Sequence, residues 1–262
     1  MKQKIMEFLP AGHPWRNLIQ VHEVLPSTNT YAKELAKQGA PEGTVVIARS
    51  QTAGRGRLGR SFHSPGDTGL YFSLILRPDC PADRLMHLTC AAAVAACDGV
   101  ERSCGLRPGI KWINDLTVDG KKLGGILTEL GFGPEGTVAY AVIGIGINCR
   151  TGSFPKELQG LACSLSDFTA QPDISRLAAA LILALEEMSN TLLSDQAAMM
   201  ERYRQDCVTV GRQVRVISSG GTETGIAERI HDDGSLQVLF ADGRRKAVNS
   251  GEVSVRGLWD YI

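Results

Sequence analysis

Two stretches of this chain are apolar without alternation, residues 70–76 (LYFSLIL) and 138–148 (VAYAVIGIGIN). A strand with one wet face alternates apolar and polar residues, so runs like these belong in a sheet covered on both faces. Covering helices are legible. Ser27-Thr28-Asn29 supplies a cap for a first helix through Tyr31, Ala32, Leu35 and Ala36 that stops at Gly39. Residues 82–98 are alanine-rich and helical, and 174–206 read as a long helical stretch with a break. Further strands are expected at 44–48 (TVVIA), 110–113, 116–118 and 123–130, with a hairpin turn at Asp119-Gly120. Hairpins and helices follow one another without regular βαβ alternation, which favours an α+β domain built on a mixed sheet.

After Cys207 the texture changes. Short strands at 211–217, 224–231, 235–240, 244–248 and 252–255 are separated by turns at Gly220-Gly221, Asp233-Gly234 and Asp242-Gly243. Such spacing describes a small antiparallel barrel or sandwich. The expectation is therefore two domains, 1–207 and 208–262.

Charge narrows the function. The 262 residues carry 28 basic and 28 acidic side chains, a poor footprint for coating nucleic acid or an anionic membrane. The strictly apolar run of the long helix spans only Leu177–Leu185, far short of the roughly 20 residues that cross a bilayer. No signal-peptide core is visible, so a cytoplasmic protein without membrane partners is expected. Seven cysteines, an odd number without CxxC, read as reduced and largely buried thiols, and the five histidines show no metal-binding spacing.

Four segments carry chemistry. QTAGRGRLGR (51–60) sets three glycines and three arginines, Arg55, Arg57 and Arg60, between two strong strands. Glycine lets backbone approach a ligand, and arginine offers a fork of donors for carboxylate or phosphate. Mutual repulsion predicts a loop that is mobile when empty and orders around an anion; read alone, it is equally a solvated loop. KWINDLTVDGKKLGGIL (111–127) crowds Lys111, Asn114, Asp115, Lys121 and Lys122 onto a hairpin whose second strand carries Gly124-Gly125. Paired glycines there mark a bulge or a close approach, although an exposed charged hairpin explains the charges as well. GIGIN (144–148) leaves flat space beside a buried strand, with Asn148 at its end. Ser27-Thr28-Asn29, taken alone, is explained by helix capping. Together the four describe a site that holds an anionic acid beside a nucleotide.

The order STN, QTAGRGRLGR, KWINDLTVDGKKLGGIL, GIGIN and a closing SGEVSVR (250–256) resembles the biotin protein ligases over roughly residues 20–258. The resemblance implies a mixed-sheet α+β catalytic domain followed by a small SH3-like β-barrel. It implies that biotin attacks the α-phosphate of ATP to give biotinyl-5′-AMP, and that a lysine of a biotin carboxyl carrier domain, as in acetyl-CoA carboxylase, then takes the biotinyl group. Mg2+ is expected with ATP, with no protein ligand named. By the same resemblance the catalytic residues are Lys122, Arg57 and Asp115, the last assisting deprotonation of the acceptor lysine. Biotin falls to Ser27, Thr28, Asn29, Gln51, Gly54, Arg55, Arg57, Tyr71, Lys122, Gly125 and Gly144. The nucleotide falls to Arg57, Arg60, Phe62, Lys111, Asn114 and Asn148.

Two departures stand out. Ile113 occupies a position where the family usually has proline, and the helix-turn-helix that precedes many bacterial relatives has no counterpart before the matched region. The expectation is a monofunctional ligase that binds no DNA, with a homodimer through the central domain. Two other readings compete. One is a lipoate- or octanoate-protein ligase or transferase of related fold, and the other a nucleic-acid module built on the arginine-glycine loop.

Overall fold

The computed structural model describes residues 1–133, 136–151, 154–218 and 221–249, and the backbone of 254–257. Residues 250–253 of the SGEVSVR motif and Gly220 of the 220–221 turn lie outside the described residues.

The two apolar stretches are central strands. The large sheet contains β1 (Ile19–Leu25), β2 (Val45–Gln51), β3 (Gly69–Leu76), β4 (Gly109–Lys111), β5 (Asp115–Val118), β6 (Lys121–Phe132) and β7 (Val138–Asn148), in the order β1-β2-β3-β7-β6-β5-β4. Only β1 and β2 pair in parallel. That pair needs a crossover, which α2 (Thr28–Lys37) provides. The Asp119-Gly120 hairpin forms as expected, both residues at positive φ (48° and 75°).

Period-two alternation divides the sheet into two faces. Leu70, Phe72 and Leu74 of β3 and Ile143, Ile145 and Ile147 of β7 join a large core with α3 (Leu88–Cys104) and α4 (Ile174–Thr191). The opposite face buries Ile75, Val142 and Val46 under Ala32 and Ala36 of α2. Because α2 is only ten residues long, it covers part of that face. The rest, over β7, β6 and β5, is left for something else.

Two elements escape the sequence reading. Helix α1 (Lys2–Phe8) has no side-chain cap, and β1 is an edge strand with His22 and Glu23 outside the core, so neither shows a clean apolar period. One boundary moves as well. Residues 82–85 form a separate 3-10 turn, and α3 begins at Leu88 and runs to Cys104, where Gly105 caps it in the left-handed conformation (φ 72°). The break in the long helical stretch falls between α4, capped by Asp173 accepting from Ser175 N at 2.9 Å, and α5 (Gln196–Asp206).

The C-terminal residues form the expected small antiparallel unit. Strands β8 (Gln213–Ser218), β9 (Gly221–Ile230), β10 (Leu236–Phe240), β11 (Arg245–Val248) and β12 (Ser254–Gly257) pair in the order β11-β10-β9-β8-β12. This sheet shares a buried apolar cluster with the larger body, through Ile230 and Leu236 among others, and polar contacts fix it there. Trp112 Nε1 donates to Gly234 O at 2.9 Å, Arg204 Nε to Ile230 O at 2.9 Å, and Trp112 N to Thr209 Oγ1 at 2.8 Å. The Trp112–Ile113 peptide bond is cis.

All seven cysteines are free, and burial pushes the thiols of Cys149 and Cys163 up to about 12 and about 11. Among the described residues, no helix is long and apolar enough to cross a membrane.

Helices α3 and α4 touch closely at Gly99, where an added Cβ would lie 2.6 Å from Leu181 Cδ2 and 3.1 Å from its Cα. Gly99→Val should therefore force the helices apart and destabilise the protein by about 1–3 kcal/mol. Urea unfolding followed by circular dichroism measures this, and an unchanged midpoint would show that the contact yields freely.

Candidate active site

A cavity of about 860 Å3 occupies the part of the sheet that α2 leaves bare. Its floor follows from pairing register. Gly146 of β7 faces Gly125 of β6, Gly144 faces Leu127, and Gly125 faces Asp115 of β5. The absent side chains are explained by what lies above them. A Cβ on Gly144 would fall 2.7 Å from Asn29 Cγ, and one on Gly146 would fall 2.5 Å from the Phe62 ring. At Gly125 the neighbours are Asp115 Oδ1 at 3.2 Å and Lys122 Nζ at 3.4 Å.

One end of the cavity is lined by hydroxyls and amides brought there by the start of α2 and the end of β2. Ser27 caps the helix, accepting from Thr30 N at 3.4 Å. Thr28 donates to Gln51 Oε1 from its backbone N (2.8 Å) and its hydroxyl (3.2 Å), while Gln51 Nε2 donates to Ser64 Oγ at 2.8 Å. Asn29 is buried and saturated: Nδ2 donates to Leu127 O (3.1 Å) and Glu129 Oε2 (3.0 Å), and Oδ1 accepts from Ser73 Oγ at 2.6 Å. Capping explains Ser27 alone. Thr28 and Asn29 are committed to the sheet.

The other end is cationic. Lys122 Nζ donates to Asp115 Oδ1 at 2.7 Å. Asn114 Nδ2 bonds Ile126 O at 2.9 Å, and its Oδ1 accepts from Arg57 Nη1 at 2.9 Å. Burial dominates at Arg57 and lowers its affinity for a proton, against the opposing pull of Asp115; it stays charged at any physiological pH. The backbone of Lys122 is held too, since its N–H donates to Leu161 O at 2.8 Å and its C=O accepts from Cys163 N at 2.9 Å. That strap brings Leu158, Gly160 and Leu161 to the cavity wall.

Residues 54–62 roof the site as a small hairpin. Phe62 N donates to Gly54 O at 2.9 Å and Gly56 N to Arg60 O at 2.7 Å, and Leu58 and Gly59 turn the tip at positive φ (54° and 73°). Arg55 and Arg57 leave the roof in different directions, one to Glu129 at 3.1 Å and the other to Asn114.

Of the residues assigned from the sequence to catalysis, biotin or the nucleotide, Gly54 and Asn148 fall outside the cavity lining and the others are in it. Gly54 sits at the hairpin base against Ser64, where a Cβ would lie 2.6 Å from the hydroxyl, and Asn148 Nδ2 bonds Cys163 O at 3.0 Å. Phe62 lies edge-on to Tyr71, ring centroids 6.4 Å apart, as well as over Gly146. Sequence reasoning missed Arg215, contributed from β8, and it missed Ser73 and Glu129. A signal existed for these two, since each is the polar interruption of an apolar strand. Arg215 carried none. Among the described residues, seven basic and two acidic side chains line the cavity, although the chain is neutral overall. Such a site draws together negatively charged groups and offsets their repulsion. No three His, Cys, Asp or Glu side chains cluster for a metal ion among the described residues.

Comparison with known proteins gives a consistent result. Residues 21–148 match the biotin/lipoate A/B protein ligase family, and residues 209–256 match the biotin protein ligase C-terminal domain. The chain is 38% identical over 229 residues to the bifunctional ligase/repressor BirA of Bacillus subtilis, covering 86% of this chain and 70% of that protein. It is 35% identical over 254 residues to the biotin--[acetyl-CoA-carboxylase] ligase of Mycobacterium tuberculosis, covering 94% and 92%. The biotin protein ligase of Aquifex aeolicus, solved with biotin and ATP, superposes with a TM-score of 0.77 at 25% identity over 92% of this chain and 99% of that one.

Gly144→Ala should displace the Asn29 carboxamide and strand its partners, at a cost of about 1–3 kcal/mol. Gly133→Ala, whose new methyl meets nothing nearer than 3.4 Å, should stay within about 0.5 kcal/mol of the parent. Chemical unfolding of the two variants side by side checks the pair; equal midpoints would mean that Asn29 repacks.

Proposed function

The chain belongs to the biotin/lipoate A/B protein ligase family, and from that membership we infer that it is an ATP-dependent biotin protein ligase, a biotin–[acetyl-CoA-carboxylase] ligase. Biotin and ATP are its small-molecule substrates. The observation that carries the reading is a single cavity joining an amide-lined end to a cationic end. Gly144, under Asn29, and Gly146, opposite the Gly125 that Lys122 overlies, are two residues apart on β7. That is roughly 7 Å along a strand, the scale of a short acyl chain.

The assignment of roles is our proposal. Ser27, Thr28 and Gln51 take the polar ring of biotin with Asn29 beside them, Tyr71, Gly125 and Gly144 lie along its flank, and Gly54 closes the roof hairpin beside Gln51. Arg57 and Lys122 receive the carboxylate, and Arg55, turned to Glu129 at the Asn29 end, closes over the bound biotin. Arg60, Lys111, Asn114 and Phe62 attend the nucleotide, and Asn148 acts indirectly by bracing the strap at Cys163. A carboxylate oxygen attacks the α-phosphorus of ATP, the bond to the bridging oxygen breaks, and pyrophosphate leaves. Two anions must meet for this, and Lys122 with Arg57 offsets the charge that builds at the reacting phosphate. Residues 54–62 exclude water from the resulting mixed anhydride, biotinyl-5′-AMP.

In the second step a carrier lysine attacks the acyl carbon and AMP leaves. An amine of pKa near 10.4 must first lose a proton, and Asp115 is the carboxylate at hand. We further propose a biotin carboxyl carrier domain as acceptor, Mg2+ accompanying ATP, residues 1–207 and 208–262 as the two domains, and a homodimer through the first.

Biotin-dependent ATP–pyrophosphate exchange, without any carrier, tests the reading. Exchange with biotin and none with lipoate is expected, and exchange with lipoate alone would move the chain to the lipoate branch of its family. Lys122→Ala should fold normally by circular dichroism and lose about two to three orders of magnitude in exchange rate. Asp115→Asn should slow transfer to the carrier more than it slows exchange, measured on the two half-reactions separately; a transfer rate equal to the parent's would remove Asp115 from the second step.

A further inference from the structure

Glu129 is the least expected group beside the site, just outside the residues that line the cavity. It lies on β6, two residues beyond Leu127, on the face that holds the cavity floor, with its side chain 18% exposed. Its partners come from two segments: from α2, Lys33 Nζ reaches Oε1 at 2.7 Å and Asn29 Nδ2 reaches Oε2 at 3.0 Å, while Arg55 Nη1 reaches Oε2 from the roof hairpin at 3.1 Å. Burial pushes the carboxyl up, but the hydrogen bonds from Lys33 and Asn29 and the charges of Lys33 and Arg55 outweigh it and hold it below the usual carboxylate range. The group is an anion wherever the protein is folded at neutral pH.

Arg55 belongs to the roof hairpin between β2 and β3, and the sheet order sets β3 and β7 between β2 and Glu129. The Arg55–Glu129 pair therefore ties the roof across two strands to the far wall. Arg57 ties the same hairpin to Asn114, on the turn between β4 and β5. The hairpin is pinned on two sides, and Glu129 supplies the pin at the Asn29 end.

We propose that Glu129 is a positioning residue for the roof: its carboxylate latches Arg55 and holds residues 54–62 closed over the Asn29 end of the cavity. It acts through Arg55 and touches no reacting atom. Its consequence for ligand retention rests on the biotin reading given above; the latch itself does not.

Glu129→Gln keeps the shape and an oxygen for Asn29, turns an amide toward Lys33 and removes the charge that holds Arg55; the Arg55→Gln background separates the loss at Arg55 from the loss at Lys33. Two measurements separate the latch from its purpose. In ligand-free protein, trypsin cleavage at 55–60 should be faster in Glu129→Gln by about two- to fivefold, the upper part of the range for one partly exposed charged pair. In the presence of biotin, dissociation of the ligand should accelerate by a similar factor. In an Arg55→Gln background the same Glu129→Gln change should add less than about twofold to either rate, since the partner is already gone.

Unchanged cleavage in the ligand-free variant overturns the latch. Faster cleavage with unaltered biotin release overturns its role in ligand retention. An equal effect of Glu129→Gln with and without Arg55 assigns Glu129 to local packing and also overturns the proposal. If the parent protein binds no biotin, the functional reading fails, and the cleavage data still decide whether the latch exists.

Discussion

The Asn29 carboxamide occupies the space that a side chain on Gly144 would need, and the rest of the site is arranged around that contact. The amide is buried, bonded to Leu127 O, Glu129 and Ser73, and carried on the first turn of α2. Sheet and helix are thereby locked in one relative position. A buried amide of this kind is costly if any partner is lost, so the arrangement has little freedom to drift. With the helix fixed, Thr28 and Gln51 meet at one end of the cavity and the glycine floor of β6 and β7 stays uncovered beyond it.

That uncovered floor explains why the two strands look alike in sequence yet behave differently. Both carry glycines at alternate or adjacent positions, and both bury apolar side chains in the large core on the other face, Leu123 and Ile126 from β6 and Ile143, Ile145 and Ile147 from β7. The period of two lets one strand serve packing and chemistry at once. Phe62 fills the space over Gly146, Asn29 that over Gly144, and Lys122 with Asp115 that beside Gly125. Each glycine makes room for a particular partner; none of the three adopts a positive φ. Their role is clearance and not conformational freedom.

Much of this was legible in the chain. LYFSLIL and VAYAVIGIGIN announced a sheet covered on both faces, and the dense punctuation after Cys207 announced the small antiparallel unit. The arginine-glycine segment and the lysine hairpin were visible as chemistry before any contact was known. What was not legible is instructive. Strand β1 escaped because an edge strand, paired on one side and wet on part of its surface, has no unbroken apolar run. Arg215 escaped because nothing local distinguishes an arginine that turns toward a distant cavity from one that faces water. Ser73 and Glu129 were readable in principle as polar residues set in apolar strands. Their partners lie 44 and 100 residues away from them at Asn29, a separation that no local pattern encodes.

Charge is the remaining thread. A neutral chain sets seven basic side chains against two acidic ones around one cavity, so the potential there is built by placement and not by composition. Concentrating like charges is unfavourable, and the structure spreads the cost over several elements. Glu129 neutralises Arg55 at one end, Asp115 neutralises Lys122 at the other, and the Asn114 carbonyl accepts from Arg57 between them. An incoming carboxylate or phosphate meets Lys122 and Arg57 with partners already close by, and those partners keep the donors aimed at the site before any ligand arrives. Donors fixed in advance need no reorganisation when charge develops on a reacting phosphate. For Lys122 the fixing extends to its backbone, through Leu161 and Cys163. The segment after β7, which shows no strand or catalytic motif of its own in the sequence, thus sets the position of the residue on which the chemistry is proposed to turn.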